Sequence, residues 1–500
     1  MKGKLLPLDE RPCNRVFPQM IARTNKDLEL EVPTLEMLGS KRIPADPEDI
    51  NRFLLNKVED FEFVVISLDM LLYGGLIPSR LHHLDHAEAV RRFDVLRKMR
   101  MAKPALKIYA FQCIMRAPSY DSSEEEPEYY ADWGYLLFRR KYLMDLGERE
   151  GLSDEEAAEL ASIEIPDEVI CDYERRRAFN ESMNIEALRL LDDGTIDFLV
   201  IPQDDSAPYG YTAISQKRVI SELKRHELDM RCMIYPGADE VSMSLLARAY
   251  NEAVGYSPRV WPFFASVLGP QIIPLYEDRP MMESLKSHVR VTGARLADSP
   301  QEADLLLAIN CPGKVMQESF VPESEKDLSY TSYRQLFDFT HRIAEYLAEG
   351  RRVALCDSAF ANGGDVQCIR YLDRLGALQG LCAYAGWNTN CNTLGTVLAQ
   401  ALVGTNQDEI VRNTCYRIIE DVYYQALVRP RVVAEELPSL GLGYYDFADR
   451  EELVADIIRA DLQGRFDELG LARSCPTHIE RVYMPWHRMF EIGMEIEGVA

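Results

Sequence analysis

The feature that most constrains the fold is a series of short apolar runs that stop at acidic residues. The clearest run, residues 196–201, is followed by Gln203-Asp204-Asp205-Ser206, and another, residues 233–235, leads into Pro236-Gly237-Ala238-Asp239-Glu240. Near-continuous apolar runs bounded by turn residues predict strands buried on both faces, and hence a parallel sheet. Because ligands bind outside the carboxyl ends of such strands, we expect these acids to line one edge of the sheet.

Acidic residues at strand ends also have a purely structural interpretation. Asp204 and Asp239 are suitable turn formers or N-caps for the helices that follow them. One such residue alone favours neither interpretation, but the same placement recurs along the chain. The recurrence favours a functional site. Its candidate catalytic residues are Asp204, Asp205, Asp239 and Glu240.

Five further apolar runs end in, or lead to, polar or charged residues: 4–8, 63–68, 106–111, 353–356 and 381–385. The third leads to Arg116, which stands in a loop rich in acids (Asp121 and residues 124–126). Both Arg116 and Arg80, which follows the second run, are suited either to an anionic group of a substrate or to a salt bridge. The candidate substrate-binding residues at or near these ends are Asp9, Arg11, Asp69, Tyr73, Arg80, Arg116, Asp357, Asn362, Asp365, Trp387, Asn388 and Asn392.

The alternation of strands and helices predicts an α/β fold. We expect a mostly parallel, (β/α) barrel-like core with a helical insertion at residues 129–191 that covers its mouth. At 500 residues the chain has room for two to three domains. The expected divisions are the core over residues 1–270, a second β/α part over 271–393 that completes the core or forms a second half, and a helical C-terminal region over 394–500.

A short internal echo suggests an alternative architecture. Residues 7–12 are Pro-Leu-Asp-Glu-Arg-Pro, and residues 274–280 are Pro-Leu-Tyr-Glu-Asp-Arg-Pro. A predicted helix and then an apolar strand follow each of them. An internal duplication would give two doubly wound halves, and the order of the strands distinguishes these from a barrel.

Composition restricts the partners. Lys and Arg number 56 against 81 Asp and Glu, and the net charge of −25 argues against nucleic acid and against an anionic membrane. The eleven cysteines include no Cys-x-x-Cys pair, and several lie in apolar runs, which predicts reduced, buried thiols. Without an apolar stretch long enough for a signal peptide or a membrane span, a cytoplasmic location is expected.

Paired carboxylates at the mouth of a site support three chemistries. In glycosidic cleavage one carboxyl protonates the leaving oxygen and another acts as base or nucleophile. Several carboxylates can instead hold Mg²⁺ or Mn²⁺, or one with a raised pKa can remove a proton next to a carbonyl. Flat rings and amide groups favour a sugar, with packing of the rings as the open alternative. These side chains are Tyr73, Tyr209, Tyr211, Trp387, Asn388 and Asn392.

Other enzyme classes lack their motifs in this chain. A transition-metal site is not expected, because there are only eight His and no His-Glu-x-x-His. The chain has neither the Gly-x-Ser-x-Gly elbow of serine hydrolases nor the Gly-x-x-x-x-Gly-Lys-[Ser/Thr] loop of nucleotide-binding proteins.

Several segments together carry a resemblance to a known family. They are residues 7–12, 67–80, 203–206, 236–240, 362–365 and 385–389. They resemble a bacterial family of uncharacterised soluble proteins, domain of unknown function 4127, over nearly the whole chain, and this resemblance implies no activity. More remotely, Asp204-Asp205 and the region of Trp387-Asn388 are similar to the Asp-Asp pair and the Asn-rich segment of barrel glycosidases that remove N-acetylglucosamine.

The favoured hypothesis is therefore a carbohydrate-active hydrolase that uses paired carboxylates at strand ends. It would act on a small-molecule or oligosaccharide substrate without a cofactor. One alternative is a divalent-metal-dependent enzyme, with Mg or Mn, that acts on a small polar substrate. The other is a sugar-binding protein without turnover.

Overall fold

Short strands recur along most of the chain. The structure is a computed structural model and describes residues 1–498. The strands are β1 (Lys2–Leu6), β2 (Glu29–Glu31), β3 (Phe63–Ser67), β4 (Lys107–Phe111), β5 (Phe198–Gln203), β6 (Cys232–Pro236), β7 (Arg259–Phe264), β8 (Arg295–Leu296), β9 (Leu305–Asn310), β10 (Gln317–Glu318), β11 (Val353–Asp357), β12 (Phe360–Ala361), β13 (Ala383–Ala385), β14 (His478–Tyr483) and β15 (Gly493–Glu497).

Helices occupy most of the remaining chain. The α-helices are α1 (Pro12–Arg23), α2 (Pro47–Leu55), α3 (Leu68–Tyr73), α4 (Pro78–Leu81), α5 (His86–Arg92), α6 (Asp94–Ala102), α7 (Tyr130–Arg149), α8 (Asp154–Ser162), α9 (Asp167–Asp192), α10 (Tyr211–Arg225), α11 (Val241–Val254), α12 (Met281–Val291), α13 (Ser329–Ser332), α14 (Leu336–Ala348), α15 (Val366–Arg374), α16 (Asn390–Val403), α17 (Gln407–Arg417), α18 (Arg429–Arg431), α19 (Leu437–Leu440), α20 (Glu451–Asp467) and α21 (Leu471–Ser474). Two stretches, Ile418–Val428 and Val432–Glu436, are π-helical.

The chain forms two compact units. Unit 1 consists of Met1–Glu10, Glu29–Ser242 and Tyr276–Asp278. Unit 2 consists of Arg11–Leu28, Met243–Leu275 and the chain from Arg279 onward. The predicted divisions at residues 270 and 393 stay predictions.

Unit 1 is built on a six-stranded sheet in the order β2-β1-β3-β4-β5-β6, in which every neighbouring pair is parallel. Strands β3 and β5 are buried along their whole length, as expected for strands covered on both faces. In the register, Val64 lies opposite Ile108, and Leu199 lies opposite Cys232. The carboxyl ends of the six strands therefore meet at one edge.

Unit 2 contains a five-stranded parallel sheet in the order β13-β11-β9-β7-β8. Read from β8, with the strands of this sheet numbered along the chain, the order is 2-1-3-4-5, and the first five positions of the unit 1 sheet have the same order. Doubly wound sheets of the flavodoxin-like type have this order. The predicted α/β class with mostly parallel strands is confirmed, and closure into a barrel stays a prediction.

One apolar cluster fixes the sheet of unit 1 to its helices. It joins buried residues of β1, β3, β4 and β5, such as Leu6, Ile66 and Ile108, to buried residues of α2, α6 and α9. Burying a side chain of this size contributes roughly 1.5–3 kcal/mol. The strand ends that carry polar residues are thus held by a rigid core.

Residues 129–191 are helical, as the sequence predicts, and form α7, α8 and α9. Ser153 and Glu156 form a capping box at the start of α8. Tyr173 and Arg177 of α9 donate to the carbonyl oxygen of Arg116, at 3.1 Å and 2.8 Å. The insertion therefore holds the loop that follows β4.

The C-terminal region, residues 394–500, is predicted to be mainly helical. It is mainly helical as far as Ser474, and then β14 and β15 pair antiparallel. In each short strand two apolar residues are buried, Ile479 and Val482 in β14 and Met494 and Ile496 in β15. Only Met494 and Ile496 have the period of two that indicates a strand, whereas Ile479 and Val482 are three residues apart across a register shift, so the sequence signal is weak. Within residues 1–498 no helix is both long and apolar enough to cross a membrane.

Candidate functional site

The predicted residues of unit 1 follow the strands of its sheet and lie at one edge. The sheet is parallel, and ligands bind at the carboxyl edge of such sheets. In strand order the residues are Asp9 after β1, Asp69 after β3, Arg116 after β4, Asp204 and Asp205 after β5, and Asp239 and Glu240 after β6.

Cys113, which follows β4, marks the point where three of these acids meet. Its backbone N–H donates to Oδ2 of Asp69 at 2.8 Å. Burial raises the pKa of its thiol well above the usual value, and the charges of the nearby acids Asp69, Asp204 and Asp239 raise it further. Three strand ends therefore contribute acids to one neighbourhood.

Two arginines bind the carboxylates at the centre of this edge. Arg80 donates from Nη2 to Asp204 Oδ2 at 2.9 Å and from Nη1 to Glu126 Oε1 at 3.1 Å. Arg116 donates from Nη1 to Asp205 Oδ2 at 3.1 Å and from Nε to Glu126 Oε1 at 2.8 Å. Both guanidinium groups also donate to Glu125 Oε2, at 3.2 Å and 2.9 Å. Of the two roles predicted for these arginines, the structure contains the salt bridge.

Exposure of the side chains in this ion-pair network increases from its buried floor to its surface. The side chains of Arg80 and Glu126 are 2% and 1% exposed, whereas those of Asp204 and Asp205 are 24% and 26% exposed. The floor is therefore a closed set of ion pairs. The two aspartates are the part of the network that a ligand can reach.

A left-handed residue brings the two aspartates together. Successive side chains of a strand point to opposite faces, so both carboxylates share a site only if the chain turns. Asp205 has φ of +45°, in the left-handed region that Asp adopts more readily than most residues. The turn lets Arg116 Nη1 contact Asp205 at 3.1 Å and lie 3.9 Å from Asp204 Oδ2.

Asp205 has a strongly shifted pKa. Loss of water around the carboxyl raises its pKa to about 7, and the neighbouring charge of Asp204 raises it in the same direction. Arg116 and Arg80 lower it, but their effect is smaller than the sum of the other two. A proton is therefore available on Asp205 near neutral pH.

Asp69 is a second buried acid at this edge. It lies in the first turn of α3, where Ser67 caps the helix by accepting from Met70 N at 3.2 Å. Burial raises the pKa of Asp69 to about 7, although the Cys113 N–H and Arg80 act against it. Tyr73, at the other end of α3, is 3% exposed and stacks near His82, so its ring face is used in packing.

The side chain of Glu240 lies against the turn that follows β6. Gly237 has φ of +131°, and a Cβ there would lie 2.5 Å from Glu240 Oε1, so the turn requires glycine. Glu240 Oε2 accepts from Ala238 N at 3.0 Å. Burial raises the pKa of Glu240 well above its usual value, with Asp239 and Glu277 adding to the shift.

Asp9 and its neighbours divide between the units. Asp9 is 2% exposed and belongs to unit 1, where the next residue, Glu10, accepts from Lys41 N at 2.6 Å through Oε1. Arg11 belongs to unit 2, where its guanidinium lies 4.4 Å from the centre of the Trp486 ring and 3.4 Å from Glu491 Oε2.

Unit 2 has its own buried polar cluster at the ends of β9, β11 and β13. Asp357 accepts from Asn310 Nδ2 at 2.8 Å, from Asp365 N at 2.8 Å and from the Tyr384 hydroxyl at 3.1 Å. Arg334 donates to Asp365 Oδ2 at 2.7 Å. Burial, followed by the charge of Asp365, raises the pKa of Asp357 to about 7. For Asp365 burial acts in the same direction, but Arg334 outweighs it and the pKa is lowered.

The remaining predicted residues of unit 2 lie in packed turns. Asn362 and Asn388 have φ of +53° and +60°, and Asn362 N donates to Asn388 O at 2.9 Å. Trp387 is 3% exposed and contacts Phe17 edge-on, with ring centres 6.3 Å apart. Asn392 is buried in the first turn of α16.

The aromatic rings that could present flat faces to a sugar are largely packed against other side chains. Tyr211 is 7% exposed and contacts Tyr173 with ring centres 5.2 Å apart. Tyr209 contacts Tyr142, with ring centres 5.3 Å apart, and lies under Arg149. In this structure these two rings, and those of Tyr73 and Trp387, are therefore used in packing.

The sequence does not single out several residues of these clusters. The signal for Glu125 and Glu126 was present as an acid run shortly after Arg116, but nothing linked the run to Arg80 or Asp204. Cys113, Asn310, Arg334 and Tyr384 gave no local signal, because each joins its cluster through contacts distant in sequence. Within residues 1–498 no three His, Cys, Asp or Glu side chains form a group that could hold a metal ion.

Comparison with known proteins agrees with the family resemblance. A family model described as "Protein of unknown function (DUF4127)" matches residues 4–495, nearly the whole chain. A search of curated proteins found no match. These comparisons lend no support to the likeness to N-acetylglucosamine-removing glycosidases.

Proposed function

The chain belongs to this family of unknown function, and we propose that the carboxyl edge of the unit 1 sheet is the active site of a carbohydrate-active hydrolase. In this proposal Asp205 is the general acid and Asp204 is its charged partner. Asp239 and Glu240 assist from the end of the neighbouring strand. The substrate is a small molecule or an oligosaccharide that carries a glycosidic bond.

One observation carries the proposal: two adjacent aspartates have different electrostatic environments. Asp204 accepts from Arg80 Nη2 at 2.9 Å in a charge-assisted hydrogen bond. Burial and Asp204 raise the pKa of Asp205 to about 7. Two neighbouring carboxyl groups in unlike environments are the usual arrangement of an acid and its partner in catalysis.

The proposed reaction divides the work between these two aspartates. Asp205 gives its proton to the leaving oxygen as the glycosidic C–O bond breaks. Asp204 stabilises the positive charge that develops on the sugar, or orients an acetamido group of the substrate. Water then adds to the anomeric carbon and loses a proton to Asp239.

Substrate recognition in this proposal uses polar groups more than rings. The flat faces of the aromatic side chains near the edge are occupied by packing, whereas Asp204 and Asp205 are 24% and 26% exposed. Carboxylates and guanidinium groups are suited to the hydroxyls of a sugar. The net charge of −25 supports a ligand other than nucleic acid or an anionic membrane.

The alternative with Mg or Mn has less support from the geometry. Arg80 and Arg116 already form ion pairs with Asp204, Asp205, Glu125 and Glu126. A dication added to these four carboxylates would have to displace or repel two buried guanidinium groups.

Turnover of a panel of aryl glycosides tests the proposal. We expect at least one member to release its aryl alcohol, with the activity retained by Asp94→Asn, an exposed residue of α6, and lost in Asp205→Asn. Binding of sugars without turnover on the panel would overturn the proposed hydrolase activity and favour the alternative of a sugar-binding protein. Turnover that Asp205→Asn leaves unchanged would move the active site elsewhere.

We also infer that the two sheets are doubly wound halves of common design. Support comes from the shared strand order and from the echo segments, since residues 7–12 follow β1 and residues 274–280 follow β7, the first strand of each sheet. An experimental structure in which β2 and β6 pair to close a barrel would contradict this inference.

A further inference from the structure

Two cysteines of unit 2 are in contact although they are far apart in the sequence. Cys415 lies in α17, and Cys475 lies in the connection between α21 and β14. The thiol of Cys415 donates to Cys475 Sγ at a sulfur–sulfur distance of 3.5 Å. Both residues are buried, with 0% and 3% of their surface exposed.

We propose that Cys415 and Cys475 form a reversible disulfide and make unit 2 sensitive to hydrogen peroxide. The inference is independent of the proposed hydrolase activity. It goes beyond the sequence-based expectation of reduced thiols, because the contact is visible only in the fold.

The segment that carries Cys475 is fixed on both sides. Asp373, near the end of α15, accepts from the backbone N–H groups of Gly470 and Leu471, both at 2.8 Å. Gln463 of α20 donates to Thr477 O at 3.1 Å and accepts from Ile479 N at 2.8 Å. Held in this way, the sulfur loses little freedom when it reacts.

Helix α17 is fixed as well. Asn413, half a turn before Cys415, donates to Met20 O at 3.1 Å and to Gln400 Oε1 at 2.9 Å. A disulfide bond is about 2.05 Å long, so the sulfurs must approach by roughly 1.5 Å from their present contact. Rotation of two side chains with a small backbone shift supplies a movement of that size.

The two thiols have unequal roles in the reaction. The hydrogen bond from Cys415 lowers the pKa of Cys475 to about 7, which makes Cys475 the thiolate, and the same bond raises the pKa of Cys415. The Cys475 thiolate attacks one peroxide oxygen, the O–O bond breaks and hydroxide leaves. Cys475 is then a sulfenic acid. The Cys415 sulfur attacks it, and water leaves with the Cys415 proton.

The disulfide would brace the end of α17 against the C-terminal strands. Arg417, two residues after Cys415, donates from Nε to Asp421 Oδ2 at 2.9 Å, and Gly386 N donates to the same oxygen at 2.7 Å. Closing a long loop also restricts the unfolded chain, so oxidation should raise the melting temperature.

Peptide mapping of the full chain tests the inference. The reduced protein is treated with hydrogen peroxide, denatured, alkylated and digested, with Cys171, the exposed cysteine, as the internal reporter of oxidant. We expect a cross-linked peptide containing Cys415 and Cys475, loss of alkylation at both, and full reversal by dithiothreitol. Cys171→Ser should leave the yield unchanged, and Cys475→Ser should abolish the cross-link and the rise in melting temperature.

The opposite result is equally clear. If Cys171 is oxidised while Cys415 and Cys475 are alkylated to the same extent as before treatment, the proposal is wrong. Cross-links of equal yield among other cysteines would overturn it too. Because the mapping is done on the unmodified chain, a variant that fails to fold does not prevent the decision.

Discussion

Asp205 keeps a pKa of about 7 although its Oδ2 lies only 3.1 Å from Nη1 of Arg116. An ion pair at that distance normally lowers the pKa of an acid. Here Arg116 is shared with Glu125 and Glu126, while Asp205 has lost water and lies beside Asp204. Arg116 therefore positions the carboxyl of Asp205 without lowering its pKa to the usual range of an aspartate.

Removing either aspartate of the pair should abolish most of the activity. Asp204→Asn and Asp205→Asn keep size and shape but remove the charged partner or the proton, and general acid–base catalysis contributes about a hundredfold or more. We expect kcat/KM on a responsive aryl glycoside to fall at least about a hundredfold in each variant, with an unchanged circular dichroism spectrum. Folded and fully active variants would reduce the pair to a helix cap.

The left-handed turn at Asp205 gives a matched pair of variants. Asp205→Gly and Asp205→Ala both lose the carboxyl, but only glycine adopts φ near +45° without strain. We expect the glycine variant to be more stable than the alanine variant by about 1 kcal/mol in urea unfolding. Equal stabilities, or a more stable alanine variant, would mean that the chain does not turn there.

The buried floor of the network should be sensitive to loss of a cation. Arg116→Gln leaves Glu126, which is 1% exposed, with one guanidinium partner where it had two. Breaking a buried ion pair costs about 3–5 kcal/mol, and we expect a loss of that order in the free energy of unfolding. Arg97→Gln is the control, since its pair with Asp94 is 46% and 53% exposed and should matter by about 0.5 kcal/mol or less. Similar losses in both variants would contradict a closed floor.

Asp69 should make the folded state less stable as the pH rises. Its pKa is about 7 in the folded chain against 3.8 when solvated, so between those values the folded state binds the extra proton. Stability is then greatest at low pH within that window and falls as the pH rises, by up to about 1.4 kcal/mol per unit. Asp69→Asn keeps an oxygen for Cys113 N and should flatten the slope between pH 5 and pH 7 in urea titrations, whereas Asp94→Asn should not. A slope unchanged by Asp69→Asn would exclude a buried, protonated Asp69.

Part of the site was predictable because strand ends are a local signal. The apolar run of β5 and the acids after it give both the strand and its edge, and the same holds for β3 with Asp69 and β6 with Glu240. The helical insertion was equally local, since its caps and spacing lie within each helix. The parallel sheet follows from strands that are apolar on both faces.

The rest depends on contacts that no local pattern encodes. Arg80 and Asp204 are 124 residues apart, and their ion pair exists only because β3 and β5 flank β4 in the sheet. The use of Tyr211 in packing depends on Tyr173 of α9. Strands β14 and β15 are short and follow a helical region, and their antiparallel pairing stabilises two segments whose own sequence signal is weak.

Titration of the carboxyl groups by ¹³C NMR tests whether the carboxyl of Asp205 holds a proton near neutral pH. The measurement compares the unmodified chain with Asp205→Asn and Asp204→Asn. We expect a carboxyl that titrates near pH 7, that is absent in Asp205→Asn, and that moves to lower pH in Asp204→Asn because the neighbouring charge is gone. A spectrum in which Asp205→Asn removes only a group with the ordinary pKa of an aspartate, about 4, would contradict it.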